Sequence, residues 1–238
     1  MKDASFTFKV ETLNLKYGDR QILSNLNWVW GRDVNCIGVF GKNGAGKSSL
    51  FKCMLGLERE YGGTLEFLEE SLQNLDTRKR AALGLSGLEQ QACLFWDMTV
   101  KDNLLAVAEF LKLSPSDQTS KVVEVLEKVG LSHLEQQLAK TLSGGEQRRL
   151  EIARLLLQPP KLIILDEPFA GLDAMSIQGL LEMMQELMGQ GVKIMISDHQ
   201  INPLLACSDQ ILWIDEGKVV ALESKAEFVQ RPEINKLV

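Results

Sequence analysis

The chain has 238 residues, of which 45% are hydrophobic and 24% charged, and its formal net charge is -6 at pH 7. The composition is typical of a soluble globular protein, and the length fits one domain because a single core stops growing near ~250–300 residues. The acidic balance argues against nucleic acid as the main partner, since a phosphate backbone demands a basic surface.

The N-terminus carries no apolar stretch of the kind found in signal peptides. No run reaches the ~18 uninterrupted apolar residues that a membrane-spanning helix needs. We therefore expect a cytoplasmic protein that meets a membrane only through a partner. The cysteines form no CxxC pair, and we expect reduced, buried thiols at Cys36, Cys53, Cys93 and Cys207.

The first part of the chain is predicted to form strands. Alternating and β-branched residues predict strands at residues 6–10, 11–15 and 22–30, with a turn at 17–20. Residues 34–40 are mostly apolar, which is typical of a strand buried on both faces. That run leads into a glycine-rich loop and a predicted helix over residues 47–57, which together start a βαβ unit.

The middle of the chain has helical periodicity over residues 100–138. A break at residues 114–116 starts a second helix, for which either Ser114 or Ser116 is a suitable cap, and Gly130 is a stop signal. These helices predict a helical subdomain at about residues 91–145.

The last part returns to alternating strands and helices, and the whole of residues 1–238 is predicted to be one domain. The predicted strands are at 161–165 and 192–197, with a hairpin at 211–222. The predicted helices are at 177–189 and 225–230.

A glycine-rich segment at residues 41–48, GKNGAGKS, fits the pattern G-x-x-x-x-G-K-[ST]. Glycines let the chain curl so that several backbone N–H groups point at one phosphate, and the following helix presents its positive end. In this phosphate loop, Lys47 reaches the terminal phosphates and the Ser48 hydroxyl is a ligand for Mg²⁺. The predicted nucleotide-binding positions are Gly41, Asn43, Gly44, Ala45, Gly46, Lys47, Ser48 and Ser49.

Two carboxylates, Asp166 and Glu167, end the buried strand at 161–165. The carboxyl end of a parallel strand faces the ligand crevice. There Asp166 is suited to hold Mg²⁺, and Glu167 is suited to polarise the attacking water.

A second glycine-rich helix start, LSGGEQR, occupies residues 142–148, and we call it the signature segment. One chain binds one triphosphate, so a second phosphate-binding segment is expected to contact the nucleotide bound by another copy. Ser143 would supply a hydroxyl, and Gly145 would allow close backbone approach. Taken alone, the same residues also describe an ordinary capped helix.

In order along the chain, GKNGAGKS, LSGGEQRR, LDEP and SDH resemble the phosphate loop, signature, metal-binding strand and switch of the ABC ATPase family. The resemblance covers essentially the whole chain. It implies an α/β fold: a P-loop NTPase core with a mainly parallel sheet, an N-terminal antiparallel β subdomain and a helical subdomain. It also implies ATP and Mg²⁺ as ligands, ATP hydrolysis, a homodimer in the ATP-bound state and integral membrane transport subunits as partners.

The same resemblance implies further roles. Tyr17 stacks on adenine, Asp173 is the aspartate of the loop that follows the metal-binding strand, and His199 is the catalytic switch histidine. Gln90 senses the terminal phosphate and contributes to the metal site, although the adjacent Gln91 is an alternative.

Within the family, residues 166–173 and 197–201 are similar to those of the ATPases of bacterial lipopolysaccharide export. The ATPases of branched-chain amino-acid importers are a close second resemblance. The sequence departs from the usual pattern at Glu89 and Ala174, where proline is frequent, which affects loop stiffness rather than catalytic atoms. A non-transport ABC ATPase is disfavoured by the single domain and acidic charge, and a non-hydrolysing one by Glu167 and His199.

An apolar and aromatic segment follows Gln90, at residues 92–98. Tryptophan, phenylalanine and methionine anchor interfaces. We expect Phe95 and Trp96 to form part of a groove for a helix of the membrane partner, with burial in the local core as the alternative.

Overall fold

The computed structural model describes residues 6–88, 93–111 and 113–234. An N-terminal antiparallel sheet contains β1 (Phe6–Tyr17), β2 (Arg20–Gly31), β4 (Tyr61–Phe67) and β5 (Glu70–Ser71), in the order β2-β1-β4-β5. A second, mainly parallel sheet contains β3 (Cys36–Phe40), β6 (Leu85–Leu88), β7 (Leu162–Asp166), β8 (Lys193–Ser197), β9 (Gln210–Asp215) and β10 (Lys218–Ser224). Its order is β10-β9-β3-β8-β7-β6, and only the β9–β10 pairing in it is antiparallel among the described strands. The predicted α/β class, with its parallel and antiparallel sheets, is confirmed.

The helices that flank the sheets are α1 (Lys47–Leu55), α2 (Thr77–Ala82), α6 (Ala174–Gly189), α7 (Ile201–Cys207) and α8 (Lys225–Val229). The middle of the chain folds into α3 (Val100–Ala108), α4 (Pro115–Lys128) and α5 (Gly144–Leu156), with short 3₁₀ turns between them. Of the two candidate caps for α4, Ser114 is the cap, since its hydroxyl accepts from the Asp117 N–H at 3.2 Å. None of the helices in the described ranges is long and apolar enough to cross a membrane.

The central sheet is buried on both faces, and β7 shows this most directly. Its five residues are all buried. Ile163 and Leu165 belong to a core shared with the helices α3 to α6, whereas Leu162 and Ile164 belong to a core shared with the antiparallel sheet and α1. Consecutive side chains therefore face opposite sides, as strand geometry requires, and a continuous apolar run is the result.

The two predicted strands at 6–10 and 11–15 are wrong, because the chain forms one strand, β1. Its register with β2 shifts between Val10 and Leu13, and Thr12 has φ 49°. The extra residue forms a bulge whose N–H donates to Asn27 Oδ1 at 2.8 Å. The bulge interrupts the alternation, which is why the sequence pattern looks like two short strands.

Several elements that the sequence analysis did not predict have weak local signals. Strand β4 contains two glycines, and β6 has four residues that include Gly87. A Cβ at Gly87 would lie 2.7 Å from the Ile164 carbonyl oxygen, so this glycine is required by close packing on β7. The cysteine prediction is wrong at one position: Cys36, Cys53 and Cys207 are buried, but Cys93 is exposed.

The buried Arg80 ties the end of α1 to the segment before α2. Arg80 is 1% exposed, and its guanidinium donates to the carbonyls of Met54 (2.8 Å), Leu72 (2.9 Å) and Leu75 (2.9 Å), as well as to that of Cys53. Cys53 and Met54 lie in the last turn of α1, where carbonyls have no partner within the helix. The cation also suits the negative end of the helix dipole.

We expect Arg80→Ala to lower the free energy of unfolding by about 3 kcal/mol or more, because several buried carbonyls would lose a charged donor at once. Denaturant unfolding measures this. The control Arg78→Ala changes an exposed arginine of the same helix, and should stay within about 0.5 kcal/mol of the wild type. Equal stability of the two variants would contradict the assigned role of Arg80.

Candidate functional site

The phosphate loop joins β3 to α1, as the sequence predicts. Gly44 and Gly46 have φ 79° and 105°, which L side chains rarely adopt. A Cβ on Gly46 would also lie 2.7 Å from Leu23 Cδ2. The loop is therefore wound tightly against β2, and α1 begins at Lys47 with its N-terminal end toward the loop.

Lys47 lies at the centre of the loop and is 7% exposed. Its ammonium donates to the carbonyl oxygens of Gly41 at 2.7 Å and Lys42 at 3.1 Å. Burial lowers the pKa of Lys47 below its usual value, while the carboxylates of Glu167 and Asp166 act in the opposite direction. A cation in this setting is suited to bind a negatively charged group.

The opposite wall of the site is formed by the ends of β7 and β8. Asp166 pairs with Ser197 across the two strands, and the Ser197 hydroxyl donates to Asp166 Oδ1. The Glu167 N–H donates to the Ser197 carbonyl at 2.8 Å. Glu167 has φ 50°, so the chain leaves the strand direction at this residue.

A cavity of about 590 Å³ lies between the phosphate loop and this wall. The cavity has room for a nucleotide-sized ligand. It brings together side chains that are far apart in sequence, and the residues that line it are Arg20, Ile22, Asn43, Gly44, Gly46, Lys47, Ser48, Ser49, Glu167 and His199.

Tyr17 lies beside this cavity and is 48% exposed. Partial burial raises the pKa of Tyr17, with the charge of Glu58 adding to the effect and a hydrogen bond with Ser49 opposing it. Ser49 lines the cavity and Tyr17 does not, so Tyr17 is connected to the site through its contact with Ser49. The other predicted nucleotide-contacting side chain, Gln90, lies outside the described residues, as do Glu89 and Gln91.

The signature segment does not line the cavity of its own chain. Ser143 caps α5, accepting from the Glu146 N–H at 3.3 Å, while Glu146 accepts from the Ser143 N–H at 2.7 Å. Gly145 is buried, and a Cβ there would lie 2.5 Å from the Ser176 hydroxyl. Asp173 caps α6 by accepting from the Ser176 N–H at 2.8 Å, a bond that lowers the pKa of Asp173. The close approach at Gly145 is therefore to α6 of the same chain.

The donor set fits Mg²⁺ only in combination with a phosphate. In the described ranges, no group of three or more His, Cys, Asp or Glu side chains is placed to hold a metal. The two predicted ligands are instead the Ser48 hydroxyl, which lines the cavity, and the buried Asp166 carboxylate. Mg²⁺ commonly binds through one or two carboxylates, several waters and the phosphates of a substrate.

The predicted partner surface is exposed rather than core. Phe95 and Trp96 are 46% and 40% exposed, so the local-core alternative does not apply to these side chains. The Arg154 guanidinium lies over the Phe95 ring, 5.0 Å from its centroid. Arg154 also lines a smaller cavity of about 240 Å³ together with Gly87, Leu88, Cys93, Val107, Glu151 and Leu155.

The sequence predicts Gly217 only as part of the hairpin at 211–222, but in the structure it contacts the phosphate loop. Its N–H donates to the Ala45 carbonyl at 3.0 Å, and its carbonyl accepts from the Ser24 N–H at 2.7 Å. Gly217 has φ 72°, and a Cβ there would lie 2.1 Å from the Ile22 carbonyl oxygen. A glycine in a predicted β-turn was the available signal, but the sequence does not indicate what it contacts.

Comparison with known proteins identifies a family. The family model described as ABC transporter matches residues 31–170. The lipopolysaccharide export system ATP-binding protein LptB of Haemophilus influenzae is 33% identical over 95% of this chain and 94% of its own length. LptB of Escherichia coli strain K12 is 30% identical over 97% of this chain and 96% of its own length.

Solved structures share the fold. CbiO1 from Clostridium perfringens, described as part of the ABC transporter complex CbiONQ, has a TM-score of 0.86 and 27% identity, covering 98% of this chain and 94% of that one. MJ1267, an ATP-binding cassette of an ABC transporter, has a TM-score of 0.87 and 24% identity, with 98% of both chains covered. The latter likeness concerns the fold alone.

We expect Gly217→Ala to weaken ATP binding about tenfold or more, because a Cβ 2.1 Å from the Ile22 carbonyl displaces the turn that holds Ala45. Titration calorimetry with ATP measures this. Gly191→Ala is the matched control, since Gly191 also has positive φ but has open space around its Cβ position. Equal affinities of the two variants would show that the turn does not hold the phosphate loop in place.

Proposed function

This chain belongs to the ABC transporter family, and we propose that it is the ATPase subunit of a system that exports lipopolysaccharide or a related lipid. ATP binding and hydrolysis are the activities of this family's cassette. The lipid assignment is supported by relatives named for lipopolysaccharide export that cover nearly the whole chain. It is also supported by the similarity of residues 166–173 and 197–201 to that branch.

One observation carries the assignment of the reaction: the cavity that brings Lys47, Ser48, Glu167 and His199 together. In our proposal the backbone N–H groups of residues 43–48 and the Lys47 ammonium hold the phosphates. The adenine ring is proposed to stack on Tyr17, which is 48% exposed and contacts Ser49 of the cavity wall.

Glu167 is proposed to orient and polarise the water that attacks the terminal phosphate, and His199 to contact that phosphate from the opposite loop. Ser48 and Asp166 would hold Mg²⁺, with Gln90 as a further ligand implied by the family. The chemistry that Mg²⁺ supplies at this place is neutralisation of the charge on the phosphate oxygens. The residues of the chain supply position and a shielded site, which is most of what phosphoryl transfer requires.

We propose that two copies complete each other's sites. Ser143 and Gly144 are exposed at the N-terminal end of α5, and neither lines the cavity of its own chain. A helix N-terminus with an exposed serine binds phosphate oxygens well. Asp173, which caps the neighbouring α6, would lie at the same interface. The signature segment of one copy would thus contact the ATP bound by the other copy.

The partner in the membrane is proposed to bind at the Phe95 and Trp96 surface, which places this subunit at the cytoplasmic face of the membrane. Half-exposed aromatic rings beside a small cavity are suited to receive an apolar helix. Arg154 and the buried Glu151 at the cavity wall add polar groups that fix the orientation of such a helix.

We expect Glu167→Gln to bind MgATP with near wild-type affinity but to hydrolyse it at least ~10²-fold more slowly, because a glutamine cannot act as a base. Steady-state phosphate release measures turnover. The control Glu127→Gln removes an exposed carboxylate on α4 and should leave the rate unchanged.

The same variant tests the dimer. Glu167→Gln should be monomeric without nucleotide and dimeric with MgATP, because a ligand that binds only the paired state drives pairing. Light scattering after size exclusion gives both masses. Normal turnover would disprove the role of Glu167, and an unchanged mass would disprove the shared site.

We expect the double variant Phe95→Ala, Trp96→Ala to hydrolyse ATP at near the basal rate while failing to co-purify with the membrane subunit, since truncating aromatic anchors costs ~2 kcal/mol or more. Phe110→Ala is the matched control, because that ring is 79% exposed in the same helical region. A folded double variant that still assembles would exclude this surface as the binding site.

A further inference from the structure

Two hydrogen bonds join the loop that follows β7 to the loop that follows β8, and a third, within the second loop, supports them. The Phe169 N–H donates to Asp198 Oδ2 at 3.0 Å, and the Gln200 N–H donates to Asp198 Oδ1 at 2.8 Å. The side-chain amide of Gln200 then donates to the Phe169 carbonyl at 3.0 Å. The peptide groups on both sides of Phe169 are thus held by the switch segment, residues 197–201.

Burial makes this link rigid. Asp198 is 3% exposed and Phe169 is 0% exposed. A buried carboxylate is costly unless donors surround it, so the two backbone N–H groups fix the position of Asp198. Phe169 in turn packs in the core shared with α5 and α6, which anchors the link to the body of the protein.

The link lies directly beside both proposed catalytic side chains. Glu167 precedes Phe169 by two positions, and His199 lies between Asp198 and Gln200 in the sequence. Glu167 is in the left-handed region at φ 50°, a conformation that persists only when its surroundings hold it. The bond from the Glu167 N–H to the Ser197 carbonyl, at 2.8 Å, holds it from one side. The Phe169 link holds it from the other.

We propose that Asp198 and Gln200 are positioning residues that fix Glu167 and His199 relative to each other across the cavity. This inference rests on the proposed function of the site. Gln200 is the residue to test, because it is partly exposed and its side chain makes the last of the three bonds without carrying a buried charge. The two loops then behave as one unit, so that the base and the switch histidine meet the terminal phosphate in a fixed geometry.

Gln200→Glu tests the proposal with little change of shape, because a carboxylate oxygen cannot donate to the Phe169 carbonyl. Gln200→Met is the second variant, which removes the donor without adding charge. The matched controls are Gln118→Glu and Gln118→Met. Gln118 is also partly exposed, and its amide donates to the Leu113 carbonyl at 3.1 Å, on α4 and away from the cavity.

We expect both Gln200 variants to lower kcat about tenfold or more and to leave the KM for ATP within about twofold, because a small misplacement of catalytic groups affects the transition state more than binding. Both Gln118 variants should keep wild-type kcat. Thermal melting establishes that each protein is folded. If Gln200→Glu does not fold, Gln200→Met decides the question.

Two results would overturn the inference: folded Gln200 variants with wild-type kcat, or a raised KM with unchanged kcat. Unfolding of both Gln200 variants would also overturn it, since Gln200 would then be a residue of general stability. Failure of the proposed function is distinct, because it would appear in the wild-type protein as ATP binding without turnover.

Discussion

Parallel pairing of β3, β8 and β7 is the constraint on which the rest of the structure depends. Ile37 of β3 and Ile164 of β7 both pair with Met195 of β8, so the three strands are in register. Parallel strands release their chains at one edge of the sheet. The phosphate loop, the Asp166 and Glu167 pair, and the switch segment therefore emerge together, although more than 110 residues separate the first from the second. The site is a direct product of strand order.

This edge concentrates charged groups that a folded chain usually keeps in water. Lys47, Asp166 and Asp198 are all buried, and each is bonded within the chain: Lys47 to carbonyls, Asp166 to a hydroxyl, Asp198 to two N–H groups. Those bonds offset the cost of burial and also orient the groups. Because these groups are already oriented, reorganising the site costs little free energy when a charged ligand binds. This preorganisation is the physical basis of electrostatic catalysis.

The sequence was sufficient for those features whose signal is local. The phosphate loop, the buried strands around it and the acidic strand end were predicted because their patterns span only a few residues. Contacts between distant segments were not predictable, because they depend on tertiary packing. These are the hydrogen bond from Gly217 to Ala45, the close approach of Gly145 to Ser176, and the hydrogen bond from Gln200 to Phe169. The bulge at Thr12 misled the strand assignment for the opposite reason, because it breaks a local period inside one continuous strand.

Helix α5 connects the two surfaces on which the proposed transport cycle depends. Ser143 caps its N-terminal end, and Arg154 lies near its C-terminal end, about 16 Å away at 1.5 Å per residue. The segment that leads to the partner surface contacts this helix twice: the Cys93 N–H donates to the buried Glu151 at 3.2 Å, and the Phe95 ring lies under Arg154. A helix transmits displacement along its axis with little bending over about three turns. A partner that moves Phe95 would therefore also move Ser143, which we propose contacts the nucleotide bound by the other copy.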